Sequence, residues 1–256
     1  MDSPHDSALV SISTRQSAVS QVESPDKVIL DLGFLIQKRF ATHPLADATD
    51  QLAWLEKTRD RVRRNSIRVG ASFIERSTHS SYQLDGVTLP PGAVREAMNA
   101  RAGKWAMRPR TAQRIRNHAS IQFQIERMLR RRIGLSAGTL VRWYTSLSTG
   151  LCGTQMQRSE VERLESVAAR VNVTPHRVGA ALDQVAALQV ELLSEPVVPS
   201  FSGIFARLVL HMHLGRCGLP PVVMDSGIDS SVLKQPSRLS TKLAEMVARS
   251  YEQLAA

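Results

Sequence analysis

The sequence is poor in cysteine and contains no long apolar run. Its 256 residues include two cysteines, Cys152 and Cys217, which are far apart and form no CxxC pair. A disulfide framework or a structural zinc site is therefore not expected, and a reducing compartment fits this cysteine usage best. The longest apolar candidate, Ile204 to Leu214, is interrupted by an arginine and two histidines. No run approaches the roughly 20 residues that a membrane span needs.

The amino terminus also lacks the features of a secretory signal. The first residues read Met-Asp-Ser-Pro-His-Asp, with no basic start followed by an apolar stretch. We therefore expect a cytoplasmic protein without a membrane partner.

Acidic residues are outnumbered by basic ones. The chain has 33 Lys and Arg against 23 Asp and Glu, a formal net charge of +10. Eleven of the basic residues lie between Arg95 and Arg132, where there are two acids, and six more lie between Lys57 and Arg68. Concentrated positive charge attracts phosphates, and the same pattern also occurs on solvated helix faces. A nucleotide or nucleic-acid partner is therefore one of two open interpretations.

Apolar spacing predicts helices along nearly the whole chain, with no strand series and no internal repeat. We expect a flexible tail over residues 1–26, a helical region over 27–132 and a second helical region over 133–256. The loop from Gly150 to Gln157 has room for a small β-hairpin flap. The predicted fold class is thus all-α. The predicted helices cover residues 27–40, 46–78, 94–99, 111–132, 137–147, 159–171, 174–193, 203–216 and 237–254.

Three stretches of this helical pattern resemble segments of a known protein family. Ser77 to Leu89 contains Ser81, Asp85 and Gly86, and it is similar to the inhibitory helix of the Fic (Fido) family. That helix ends in Ser or Thr, three residues, then Glu-Gly or Glu-Asn, so an aspartate stands here in place of the glutamate. Ile115 to Met128 is similar to the helix that follows it in many members.

The third stretch, Phe205 to Val223, resembles the helix directly after the Fic catalytic loop. In the family, the sequence of this helix is Arg, two residues, Arg-Leu-Leu, an apolar run, Gly, any residue, Pro-Pro and then Val or Ile. The chain has Arg207 followed by Leu-Val-Leu, and later Gly218-Leu-Pro-Pro-Val. The resemblance spans roughly residues 70 to 254. It implies a Fic-like helical bundle with an inhibitory-helix-like segment over 74–89 and a Fic-like core over 133–256.

The catalytic loop itself departs from the family. The Fic motif is His-Pro-Phe, any residue, Asp or Glu, Gly-Asn-Gly-Arg, two residues, Arg. In that family the histidine is a base, the acid holds magnesium and the turn binds phosphate, and the usual outcome is AMP transfer from ATP to a protein side chain. Here the stretch from Glu191 to Arg207 contains no histidine and no Gly-Asn-Gly-Arg. The resemblance therefore implies a degenerate active site.

Two alignments of this loop are open. Anchoring on the following helix puts Pro196 at the histidine position, Ile204 at the first arginine and Arg207 at the second. Anchoring on the preceding helix puts Glu191 at the histidine position and Glu195 at the metal-binding acid. On the second alignment Glu191 is a candidate substitute base, since a desolvated carboxylate can accept a proton near neutral pH. It also fits a solvated acid at a helix end.

Further residues are candidates for ligand binding. Arg207, Glu195, Ser200, Ser202 and Gly203 lie around the start of the predicted helix, where backbone N–H groups favour anions. The two serines also fit a role as helix caps. ATP and magnesium are the implied cofactors if the family activity is retained, and a protein target is a further candidate partner.

Ser81, Asp85 and Gly86 are candidates for regulation. In the family the inhibitory acid pairs with the second arginine of the motif. Because an arginine inside an apolar helix is costly unless paired, we expect an Asp85–Arg207 contact. The alternative is that Arg207 reaches solvent or a backbone carbonyl. His211 and His213 lie two apart on the same helix, which is not a spacing for metal ligands.

A competing interpretation concerns Ser159 to Leu188, which can be a helix-turn-helix with Thr174 to Gln184 as recognition helix. The positive charge favours this interpretation and Asp183 opposes it. Three functions are therefore open: a nucleotide- or phosphate-handling enzyme with altered chemistry, an inactive binding relic of the Fic fold, and a DNA-binding regulator.

Overall fold

The computed structural model describes residues 48–62, 70–99, 108–149, 156–224 and 228–255. The predicted tail, the predicted helix over 27–40 and most of the loop suggested for a β-hairpin flap lie outside these ranges.

The described chain is entirely helical, as the sequence predicted. No strand occurs in the five described ranges, and a 3-10 turn over Val232–Lys234 precedes the last helix. The α-helices are α1 (Ala48–Val62), α2 (Ala71–Leu84), α3 (Ala93–Asn99), α4 (Pro109–Arg130), α5 (Ala137–Leu147), α6 (Arg158–Asn172), α7 (Val178–Ser194), α8 (Ser202–Arg216) and α9 (Pro236–Ala255).

Helix α8 lies at the centre of the molecule. Every residue from Ile204 to Leu214 is buried, so this helix is covered on all sides. Phe205, Leu208 and Met212 belong to one apolar cluster, formed with α2 to α7, whereas Leu210 and Leu214 belong to a second cluster, formed with α1, α7 and α9. A helix buried all round has no solvent face for its polar residues, so each polar side chain on it needs an internal partner.

The two clusters cross the boundary predicted between residues 132 and 133. The first contains residues from Tyr82 to Met212, and the second joins Leu55 of α1 to Tyr251 of α9. The described helices before residue 132 therefore share their cores with those after it, and the division into two regions stays a prediction.

Helix α7 begins four residues later than the sequence predicted. The carboxylate of Glu56 on α1 accepts a hydrogen bond from the backbone N–H of Val178 at 2.7 Å. Arg59, also on α1, donates to that carboxylate and to the backbone carbonyl of His176. A cap supplied by a distant helix fixes the start of α7, and the Thr174-Pro175 signal does not. Within the described ranges, none of these helices is long and apolar enough to cross a membrane.

Candidate anion site at the start of α8

The arginine on the buried helix is held by the end of α2. Arg207 Nη2 lies 2.5 Å from Asp85 Oδ1, and the Arg207 side chain is 7% exposed. Arg207 also donates from Nη2 to the backbone carbonyl of Ser81 at 2.6 Å and from Nε to the Ser81 hydroxyl at 3.1 Å. Burial lowers the pKa of Arg207, and Asp85 opposes that change. The Asp85–Arg207 contact expected from the sequence is therefore present, with Ser81 as an additional partner.

The backbone at the end of α2 places Asp85 over Arg207. Asp85 is the last capping residue of the helix, and Gly86 after it has a φ of 75°. The N–H groups of Gly86 and Val87 donate back to the carbonyls of Gln83 and Tyr82, both at 2.9 Å. A glycine in the left-handed region is the usual way to end a helix with such bonds. Ser81, Asp85 and Gly86 thus form one structural unit, although their regulatory role stays a prediction.

Because Gly203 has no side chain, the Asp85 carboxylate can lie directly beside it. A Cβ atom at this position would overlap Asp85 Oδ1 and lie 3.1 Å from Arg207 Nη1. The carboxylate of Asp85 therefore lies directly over the first turn of α8, and a side chain at position 203 would displace it.

No side chain in the described ranges caps α8. Its N-cap residue is Phe201, which has a left-handed backbone with φ of 56°. The Ser200 hydroxyl lies 3.3 Å from the Tyr144 hydroxyl of α5, and neither Ser200 nor Ser202 caps the helix as the sequence had suggested. The first N–H groups of the helix point toward its start without a side-chain acceptor, which is an arrangement that favours an anion.

A buried polar network lies beneath the Asp85–Arg207 pair. The Gln122 amide nitrogen lies 3.1 Å from the Thr78 hydroxyl and 3.1 Å from His118 Nε2. Burial and the charge of Arg207 lower the pKa of His118 to about 3. Sequence reasoning missed this network. The sequence signal for this network was weak. It consists only of His118 and Gln122 spaced four residues apart on the buried side of α4, a spacing that many helices share.

The two histidines of α8 are both buried. His211 Nε2 donates to the carbonyl of Val222 at 2.8 Å, and burial lowers its pKa to about 4 despite that bond. Burial likewise lowers the pKa of His213 to about 4, assisted by the charge of Arg170. Both rings are therefore neutral at pH 7, and they lie near different arginines.

The remaining predicted site residues lie at the end of α7. Glu191 Oε2 lies 2.5 Å from Arg170 Nη1 of α6, and the Glu191 side chain is 48% exposed. Glu195 and Pro196 are exposed, and their backbone carbonyls accept hydrogen bonds from Arg163. None of the three is a hydrogen-bond partner of Arg207. The base role of Glu191 stays a prediction, and an arginine-paired, half-exposed carboxylate is not the desolvated group that such a role needs.

The carboxylates of the candidate site differ in how they are paired. Within the described ranges no three His, Cys, Asp or Glu side chains are grouped so that they could hold a metal. Glu191 is paired with Arg170, and Asp85 is paired with Arg207. Glu195, the acid predicted to bind magnesium, is exposed, and that role stays a prediction.

The packing of α7 bears on the helix-turn-helix interpretation. Its buried positions, such as Leu182, Val185 and Leu192, pack into the two apolar clusters. The Gln184 amide donates to the carbonyl of Arg170, and Asp183 accepts from Ser240 of α9. Gln184 is therefore engaged within the protein, whereas His176 and Arg177 are exposed, and the helix-turn-helix interpretation stays a prediction.

A solved structure has a similar fold. A chain described as Fic-1 (aa134–508) from C. elegans superposes with a TM-score of 0.58 and 12% sequence identity, covering 90% of this chain and 71% of that one. No family model matches the sequence. No curated protein matches it either. At this identity the likeness concerns the fold, and the chain therefore has a Fic-like helical fold.

Proposed function

We propose that this protein binds a nucleotide or another phosphate-bearing ligand at the start of α8, and that Asp85 blocks the site in the resting state. The observation that carries the proposal is the Asp85–Arg207 ion pair lying over Gly203. A Fic-like fold supports it, because the Fic family, which the sequence resembles, is expected to bind phosphate at this same helix terminus.

A phosphate can replace Asp85 without leaving Arg207 unpaired. The ligand would bring oxygens that accept from the guanidinium and from the uncapped N–H groups of α8, and such charge-assisted bonds are the strong ones. Ser81 would keep its two bonds to Arg207. Asp85 is 24% exposed, so its carboxylate can move into solvent while the buried part of α2 stays in place.

The proposal is limited to binding because the described groups near Arg207 are poor bases. The pKa values of His118 and His211 are about 3 and 4, so neither ring accepts a proton readily at neutral pH. AMP transfer of the Fic type would need another base. We accordingly favour the binding relic over the altered enzyme.

The test compares nucleotide affinity in the wild-type chain and in Asp85→Ala. We expect Asp85→Ala to bind ATP about tenfold more tightly in isothermal titration, a gain of ~1.4 kcal/mol, because the ligand no longer has to displace a carboxylate. Arg207→Gln is expected to lose that gain, because the guanidinium is the ligand's partner.

The matched control is Glu75→Ala, which removes another acid of α2. Glu75 pairs with Arg95 at 3.0 Å, away from Arg207, and its loss should leave ATP affinity unchanged. Equal ATP affinities for wild type, Asp85→Ala and Glu75→Ala, in chains with normal melting curves, would refute the proposal.

A further inference from the structure

A second basic recess lies at the start of α4. It is lined by Arg108, Pro109, Arg110, Thr111 and Arg114, none of which is acidic. Arg108 is the N-cap residue and makes no side-chain cap, and the helix that follows is 22 residues long. Three guanidinium groups therefore share this recess with the positive end of a long helix dipole.

Arg114 joins the recess to the start of α8. Its guanidinium carbon lies 5.1 Å from the centroid of the Phe201 ring, and Phe201 is the N-cap residue of α8. Arg114 Nε is buried and has no hydrogen-bond partner in the described part of the chain. Stacking on a ring fixes the plane of the guanidinium but accepts no N–H. A buried donor without an acceptor is destabilising, so this group is positioned for an acceptor that the described residues do not supply.

Tyr82 of α2 carries a second polar group without a partner. The residue is 4% exposed, and its hydroxyl oxygen is buried without a hydrogen-bond partner among the described residues. Burial raises the pKa of Tyr82, and the positive charge of Arg114 opposes that rise. Helices α2 and α4 thus each carry one donor that the described part of the chain leaves unused.

We propose that this recess is a second phosphate-binding site, which takes a phosphoryl or pyrophosphoryl group between Arg108, Arg110 and Arg114, with the Tyr82 hydroxyl as an additional donor. Guanidinium groups match the oxygens of phosphate in geometry and charge. The site does not depend on release of Arg207 by Asp85, so it is accessible in the resting state. Free pyrophosphate and the polyphosphate of a nucleotide present the same oxygens and are the two sources of such a ligand.

The first test is titration of the full chain with pyrophosphate near physiological salt. We expect saturable binding by wild type and a loss of about tenfold in affinity for Arg114→Gln, which removes the central charged donor. Arg110→Ala should lose less, because its side chain is exposed. The control is Arg95→Ala, an arginine of α3 whose side chain is 71% exposed, and its affinity should equal that of wild type.

Tyr82→Phe separates the site from general effects on folding. The change keeps the ring, whose centroid lies 6.0 Å from that of His118, and removes only a hydroxyl for which the described residues supply no partner. Its melting temperature should not fall, since deleting an unpaired buried polar group is neutral or stabilising, whereas its pyrophosphate affinity should fall about threefold or more. If Arg114→Gln fails to fold, Tyr82→Phe and Arg110→Ala decide the question.

Equal pyrophosphate affinity in wild type, Arg110→Ala and Tyr82→Phe would overturn the proposal, as would the absence of binding by wild type. Competition with ATP identifies the source of the phosphate. Tighter, Arg114-dependent binding of ATP than of pyrophosphate points to a nucleotide, the reverse order points to the free anion, and both support the recess as a phosphate site.

The experiments can refute the phosphate site at the recess and the block of Arg207 by Asp85 independently of each other. If Asp85→Ala gains no nucleotide affinity while pyrophosphate binding depends on Arg114, the recess stands and the block by Asp85 is wrong. If Asp85→Ala gains nucleotide affinity while Tyr82→Phe and Arg110→Ala bind pyrophosphate as wild type does, the block stands and the recess is wrong.

Discussion

Gly203 sets how closely Asp85 approaches Arg207. The methyl group of Gly203→Ala would overlap the Asp85 carboxylate, so we expect a loss of about 1–3 kcal/mol in the free energy of unfolding. In the Asp85→Ala background the overlapping group is absent, and the same substitution should cost much less. Urea denaturation of the two single variants and the double variant measures this difference as a coupling energy.

The control for that cycle is Gly138→Ala on the exposed side of α5. The nearest atom to a Cβ at this position is an Arg142 nitrogen at 3.9 Å, so the helix can accept the methyl group and should become slightly more stable. Equal costs of Gly203→Ala in both backgrounds would mean that the glycine serves the helix and not the Asp85 carboxylate.

At the level of single residues, the sequence allowed part of the site to be predicted. Arg207 and Asp85 were found because the resemblance supplied a register for two distant stretches. Tyr82, Arg114 and His118 were not found, because an unpartnered donor or a buried histidine is defined by its neighbours in space. The sequence shows the same residue types on solvated helix faces.

At the level of elements, α1 stabilises α7 by capping it. We expect Glu56→Ala to lower the free energy of unfolding by about 1–2 kcal/mol, because the Val178 N–H loses its acceptor and Arg59 loses a partner. The comparison is Asp60→Ala, one turn later on α1, whose side chain is 65% exposed and 3.8 Å from Arg59 Nε. A long contact made by an exposed carboxylate contributes little, and Arg59 keeps Glu56 as its partner, so Asp60→Ala should stay within about 0.5 kcal/mol of wild type. A Glu56→Ala variant as stable as Asp60→Ala would show that the cap is dispensable.

The helix boundaries show where local sequence signals end. Helix α5 begins where Ser136 predicts, since its hydroxyl accepts from the Thr139 N–H at 3.2 Å. Helix α7 does not begin where Thr174-Pro175 predicts, because its cap comes from Glu56, 122 residues away in the chain. The start of α8 depends on the left-handed backbone of Phe201. Glycine, asparagine and aspartate are the residues that usually adopt this conformation and phenylalanine rarely does, so the sequence does not predict it.

At the level of the whole molecule, three buried histidines make stability depend on pH. His118, His211 and His213 have folded pKa values of about 3, 4 and 4, below the ordinary 6.5. Below pH 6.5 these three histidines therefore bind protons in the unfolded chain but stay neutral in the folded chain until the pH approaches their folded pKa values. This contribution to stability is complete above pH 6.5 and falls by roughly 1.4 kcal/mol per pH unit for each histidine as the pH drops toward the folded values.

Urea midpoints measured from pH 7.5 to 5 check this slope. His213→Gln should remove one histidine's share of the pH dependence, because its ring is buried with no hydrogen-bond partner among the described residues. The comparison variant is His176→Gln, the same substitution at an exposed position. A stability profile that is flat between pH 6.5 and 5 would contradict the burial of these rings.

The all-α fold was predictable because helical spacing of apolar residues repeats along the chain. The central place of α8 was less evident, because eleven consecutive buried positions show no amphipathic pattern. Arg207 was expected to be paired inside an apolar helix, whereas the burial of His211 and His213 follows only from the helices that cover α8.

The end of α2 is attached at two neighbouring positions in different ways. Ser80 donates to the backbone carbonyl of Met224, whereas Ser81 and Asp85 bind Arg207. The Ser80 bond holds the body of the helix against the segment that follows α8, so departure of Asp85 requires fraying of a single terminal turn. The free energy needed to release Asp85 from Arg207 is therefore that of local unfolding at the end of α2. The packing of the helix bundle is the same before and after this release.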